Sequence, residues 1–130
     1  MPAHMRIVLL AIVLLFTACS KKTDEPASTP PPTMTKDPAA AKTMIAGGAV
    51  VLDVRTTDEY RGDHLQQAVN IPIQDFSTRI AEVEKLTGGD KSKPIVVHCA
   101  KGGRAAKAKQ QLESAGYTTV VNGGGLDDLR

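Results

Sequence analysis

The sequence predicts an α/β fold, a parallel sheet with helices on both faces, and three observations carry that expectation. Short β-branched runs alternate with stretches of helix formers along the second part of the chain, which is the pattern of strands joined by right-handed helical crossovers. The runs are apolar throughout rather than at every second residue, as in strands covered on both sides. With only Phe16, Tyr60, Phe76 and Tyr117 as aromatic residues, the core has to be built from Ala, Val, Ile and Leu.

Size and charge bound the rest. The 130 residues, 42% of them hydrophobic and 23% charged, amount to one small domain, which excludes disorder throughout and a two-domain enzyme. Sixteen basic residues against 14 acidic ones leave a net charge of +2, too little for a nucleic-acid footprint, so no nucleic-acid partner is expected.

Residues 1–18 stand outside the fold. Arg6 precedes the apolar run from Ile7 to Phe16, which ends in Thr17-Ala18-Cys19. A membrane-spanning helix takes about 20 apolar residues, twice the length of this run, so the segment reads as a cleaved signal peptide. Leu15-Phe16-Thr17-Ala18-Cys19 resembles a bacterial lipobox, with Phe16 in place of the usual Leu. That resemblance implies lipidation of Cys19; the alternative is plain cleavage near Ala18, and either route exports the protein. Residues 19–36 follow as a polar, proline-rich linker from Ser20 to Thr33 and on to Lys36, unable to bury enough surface to fold. At about 3.1 Å per residue in polyproline form it reaches roughly 50 Å. The expected location is the periplasm or cell envelope, tethered by an N-terminal lipid, with Ser20 rather than Asp after the Cys inclining it to the outer membrane.

The folded domain is expected over residues 37–130. Asp37 as N-cap, Pro38 in the first turn and Gly47-Gly48 as the stop frame a first helix. Ala49 to Val54 reads as a buried strand, Thr57 to Tyr60 as a short helix capped by Thr56 or Thr57, and Ala68 to Ile71 as a brief strand that Pro72 ends. Phe76, Ile80, Val83 and Leu86 recur at helical spacing, predicting an amphipathic helix from Asp75 to Leu86 closed by Gly88-Gly89. Pro94 to His98 is the next strand, Arg104 to Ala115 a helix stopped by Gly116, and Tyr117 to Val121 the last strand. Gly123-Gly124-Gly125 lacks the Lys-Ser or Lys-Thr of a phosphate-binding loop and is expected to form a tight turn.

Only two cysteines are present, Cys19 and Cys99. With Cys19 carrying lipid, Cys99 is a lone thiol in an oxidising compartment, where exported cysteines usually pair. It ends a predicted strand, the place where α/β sheets carry their active groups. The following Ala100-Lys101-Gly102-Gly103-Arg104 leads into a helix. Two glycines allow the positive φ angles of an amide nest, the helix N-terminus adds positive potential, and Lys101 and Arg104 add cations. An exposed Cys99 in this setting is expected to be mostly thiolate, against an ordinary thiol pKa of about 8.5.

A cradle for anions above a thiolate serves both Cys-dependent phosphatases and rhodanese-type sulfurtransferases. Phosphatases place five residues between Cys and Arg, whereas four separate Cys99 from Arg104, a tighter ring that suits a sulfane sulfur better than a phosphoryl group. The sequence resembles a single-domain rhodanese. The resemblance rests on Val51-Leu52-Asp53-Val54-Arg55, Glu59-Tyr60, His64-Leu65, Ala68-Val69-Asn70-Ile71-Pro72, the Cys99 loop after Ile95-Val96-Val97-His98, and Gly124-Gly125-Leu126, in that order. Asp63, Gln67 and Leu129 depart from the Gly, Gly and Trp that the family usually has there.

What the resemblance implies is thiosulfate sulfurtransferase chemistry. Cys99 would be the nucleophile and persulfide carrier, Ala100, Lys101, Gly102, Gly103 and Arg104 the binding loop for a small anionic sulfur donor, and cyanide or a thiol the acceptor, with no cofactor and no metal. Asp53 and Arg55, at the end of a strand on the same edge as Cys99, are expected to orient that loop by hydrogen bonds, the alternative being a plain surface ion pair. His98 is expected to pack behind the loop, since neighbours on a strand face opposite sides, and His64 to be structural. The alternative is a non-enzymatic rhodanese module that carries sulfur or senses redox state for a partner protein.

Overall fold

The apolar runs pair into one sheet because each is too hydrophobic to face water on either side. In the computed structural model, which describes residues 35–130, four parallel strands lie in the order β2-β1-β3-β4, with β1 at Val50–Asp53, β2 at Ala68–Asn70, β3 at Ile95–Cys99 and β4 at Val120–Gly125. The central strands are the most buried, β3 along its whole length. Helices cover both faces, as the sequence predicts. On one, α3 (Ile80–Thr87) and α4 (Gly103–Ser114) bring Val83, Ala105, Ala108 and Leu112 onto Leu52, Val54, Ile95 and Val97. On the other, α1 (Pro38–Ala46) and a 3-10 turn at Asp127–Leu129 set Ala41 and Leu129 against Val96. Leu129, standing where a Trp is usual, fits this smaller layer: its two methyl groups lie 3.1 Å from where a Cβ on Gly123 would be. The leader and the Cys19 lipobox lie outside the described residues.

Local chemistry fixes the helix ends. Asp37 accepts the Ala40 amide at 2.9 Å as N-cap of α1. In α2 (Thr57–Gly62), Thr56 and Glu59 form a reciprocal capping box. Gly88 closes α3 in left-handed backbone at φ 64.

Three expectations need correction. The helix predicted from Asp75 begins only at Ile80, because residues 73–79 wind through tight turns in which the Asp75 carbonyl accepts from the Thr78 amide, the Thr78 hydroxyl and the Arg79 amide. Phe76 is buried by that turn all the same, while Leu86 faces out. The last strand starts at Val120 rather than Tyr117; the Thr118 amide is spent on the Lys91 carbonyl, and Tyr117 is buried with the Lys91 ammonium 4.1 Å over its ring. Third, Gly123-Gly124-Gly125 is not a turn but the end of β4. Between the pairs Val97–Asn122 and Cys99–Gly125 the ladder slips by one residue, a bulge in which Gly124 takes φ 85. The bulge presses β4 against the loop after Cys99: an added Cβ on Gly125 would overlap the Ala100 carbonyl oxygen. Glycine stands there for space.

Candidate active site

Strand β3 delivers Cys99 to the carboxyl edge of the sheet, and the chain turns at once into α4. Gly102 makes the turn at φ 108, ψ −14 as N-cap of the helix, and its amide donates to the Cys99 sulfur at 3.0 Å. Gly103 is already the first residue of α4, so one glycine, not two, supplies the left-handed backbone. Burial works to raise the thiol pKa, but the amides of Ala105, Lys101, Gly102 and Arg104 converge on the sulfur and outweigh it, so the net shift is downward. The expectation of an exposed sulfur is not met: Cys99 keeps 1% exposure, at the base of its ring. The ring amides, rather than water, solvate the anion.

The two loop cations have different fates. Lys101 is exposed and forms no ion pair among the described residues. Arg104 reaches across to α2 and grips Glu59 with both terminal nitrogens, at 2.7 and 3.0 Å. Glu59 also accepts from the amide and hydroxyl of Thr56, and this company, led by Arg104, lowers its pKa to about 2. Glu59 in turn raises the Arg104 pKa, with the Cys99 sulfur adding to the pull. A guanidinium shared between carboxylate and thiolate is thus fixed beside the ring.

Residues 37–128 match the rhodanese-like domain. The chain belongs to the rhodanese-like family. Thiosulfate sulfurtransferase PspE of Escherichia coli is 38% identical over 78 residues, covering 60% of this chain and 71% of the relative. Thiosulfate sulfurtransferase 18 of Arabidopsis thaliana is 37% identical over 102 residues, covering 68% of this chain and 71% of that one. A tRNA uridine(34) hydroxylase of Sodalis glossinidius is 33% identical over 84 residues but is covered for 24% of its length only, so the domain also occurs within larger proteins of other activity. Among solved structures, a rhodanese with anions from E. coli superposes with a TM-score of 0.55 at 37% identity, covering 62% of this chain and 91% of that one. The human single-domain sulfurtransferase TSTD1 gives 0.54 at 25% identity, covering 72% and 90%.

In this rhodanese-like domain Asp53 and Arg55 do not hydrogen-bond the 100–104 loop, contrary to expectation. They bond each other, the Arg55 guanidinium to the Asp53 carboxylate at 2.7 to 3.1 Å, and Arg55 also reaches the Asp63 carbonyl at 2.6 Å. Asn70 ties down the carbonyls of both. The pair braces the turn from β1 into α2, the helix that carries Glu59. His98 is fully buried on the face away from Cys99, its Nε2 3.8 Å from Asp53 and neither ring nitrogen hydrogen-bonded among the described residues; burial lowers its pKa. His64 stacks on Tyr60 with ring centroids 3.9 Å apart and bonds its carbonyl. Asp63, where the family has Gly, forms an ion pair with Arg130.

Sequence reasoning gave Glu59 no role. Its place three residues after Thr56, as the far half of a capping box, was a visible signal for a helix start, but a partner 45 residues away leaves none.

Proposed function

We propose that the protein is a sulfurtransferase that moves sulfane sulfur from thiosulfate or a similar small anion to cyanide or a thiol through a Cys99 persulfide. The observation that carries the reading is the convergence of backbone amides on the Cys99 sulfur, which favours the thiolate despite burial. In the first half-reaction the thiolate attacks the outer sulfur of thiosulfate; the S–S bond breaks and sulfite leaves with the electron pair. In the second, cyanide attacks the outer sulfur of the persulfide, thiocyanate departs, and the Cys99 thiolate returns. Both steps keep one negative charge inside the ring, which fixed amides stabilise without reorganising. The cycle needs no metal and no cofactor.

Because Cys99 is buried, the reacting sulfur enters the ring past Ala100 and Lys101, both exposed. Lys101 draws the anionic donor, and Arg104, neutralised in part by Glu59, stabilises departing sulfite. The run from Ile7 to Phe16 and the Cys19 lipobox support export to the periplasm or cell envelope, held by a lipid on Cys19.

The test is thiocyanate formation from thiosulfate and cyanide by the purified protein, with Cys99→Ser as the control. Turnover that the serine variant lacks supports the reading. No turnover with several donors, yet a mass increase of one sulfur atom on Cys99, would establish a sulfur carrier instead. For the tether, retention of the Cys19→Ser variant in the membrane fraction would refute lipidation.

A further inference from the structure

We propose that Asn122 is a positioning residue for the Cys99 ring, holding the Gly102 carbonyl against β4 so that the loop amides stay turned toward the sulfur. The proposal rests on reading Cys99 as the reacting thiol and adds a residue to its machinery.

Asn122 is 2% exposed, and the structure accounts for both of its side-chain polar atoms. Its Nδ2 donates to the Gly102 carbonyl at 2.9 Å, and its Oδ1 accepts the Gly124 amide at 3.0 Å. The first bond reaches into the ring, the second fastens the bulge that pushes β4 against the ring. Its main-chain carbonyl accepts the Asp37 amide at 2.8 Å, so the base of α1 is tied to the same point. One residue therefore ties together the Cys99 loop, the bulge of β4 and the start of α1.

The Gly102 carbonyl matters because it stands across one Cα from the Gly102 amide that donates to the Cys99 sulfur, and it opens the helix whose Arg104 and Ala105 amides turn to the same atom. That carbonyl also receives the Ala106 amide at 2.9 Å, the first bond of α4. With two donors drawing it toward α4 and β4, the carbonyl is fixed, and the Gly102 backbone cannot rotate and carry its amide off the sulfur. Such a rotation would turn a stabilising dipole away from an anion that the ring amides solvate in place of water. Gly102 is where such a rotation is easiest, since glycine adopts either sign of φ at little cost. A lock is needed at that residue, and Asn122 is the side chain that reaches it.

Two variants and one wild-type measurement test the assignment in the full-length protein. Asn122→Ala removes both side-chain bonds; Asn122→Asp keeps an acceptor for Gly124 but sets a carboxylate against the Gly102 oxygen. The readout is the ionisation of Cys99, followed by thiolate absorbance and by the pH dependence of alkylation, neither of which requires turnover. The expected result is an upward shift of about one pKa unit in Asn122→Ala and more in Asn122→Asp, with about a tenfold loss of alkylation rate near neutral pH. Folded variants that titrate like the wild type would overturn the proposal. Should neither variant fold, the wild-type protein decides: the Asn122 side-chain amide resonance has to move with the Cys99 titration, and a resonance indifferent to it overturns the assignment. A wild type that forms no thiocyanate would end the proposed activity while leaving this titration interpretable.

Discussion

Adding one methyl group at Gly125 should damage the Cys99 ring. The position has ordinary backbone angles, so strain is not the issue. A Cβ there would overlap the Ala100 carbonyl oxygen and lie 3.1 Å from its carbon. Both sides of the contact are backbone, and Gly125 is paired with Cys99 itself. To regain ordinary contact, strand and loop must part by roughly 1 Å. Overpacking of this kind costs about 1–3 kcal/mol of stability. A 1 Å displacement of reacting groups costs about 100-fold in rate. The expected phenotype of Gly125→Ala is therefore a urea midpoint lowered by that stability loss and kcat/KM for thiosulfate down by about two orders of magnitude. Gly62→Ala is the control, because nothing lies within 4 Å of a Cβ there, and it should change stability by less than about 1 kcal/mol and leave activity alone. A Gly125→Ala protein with wild-type stability and turnover would refute the claim that β4 shapes the loop by close approach.

Four further outcomes are expected. Glu59→Gln releases Arg104 from its bidentate partner, and KM for thiosulfate should change while stability falls by only about 1 kcal/mol or less, because both side chains are about a third exposed; unchanged kinetics across donors would remove Glu59 from the site. In the wild type, the Glu59 contribution to stability is complete above the ordinary carboxylate pKa of 4.5 and should be lost as pH falls toward about 2, which acid titration of the unfolding free energy reads. Asp53→Asn leaves the Arg55 guanidinium buried without its counter-charge and should cost about 3–5 kcal/mol in chemical denaturation. His98 binds its proton less readily folded than unfolded, so stability should decline as pH drops below its ordinary pKa of 6.5, and a His98→Phe variant should flatten that slope between pH 7 and 5.

The fold class, the strand order along the chain and the ring itself were legible because they rest on local signals: apolar runs, caps, and a Cys-to-Arg spacing that survives any packing. What the sequence hid is long-range. Asp75 looked like a helix start because the apolar period begins with Phe76, and nothing local says that the Thr78 hydroxyl will claim the Asp75 carbonyl. The triple glycine read as a turn because glycine punctuates turns, while its actual reason is a neighbouring loop only visible in three dimensions. For the same reason Arg104 was legible as a cation but not as half of an ion pair with α2, and Asp53 and Arg55 were legible as a pair at the right edge but not as a brace for another turn. The burial of Cys99 is likewise a product of β4 folding over the loop.

The bulge in β4 has a consequence at the rim of the sheet as well. A parallel sheet that ends in a straight, bare strand invites a neighbouring molecule to add its own. Among the described residues β4 is the outermost strand on one side, yet the Asn122 carbonyl is already occupied by the Asp37 amide and the backbone kinks two residues later. On the opposite side β2 is three residues long and halted by Pro72. Among the described residues, then, neither border offers a long straight template for another strand, and edge-to-edge zipping is disfavoured.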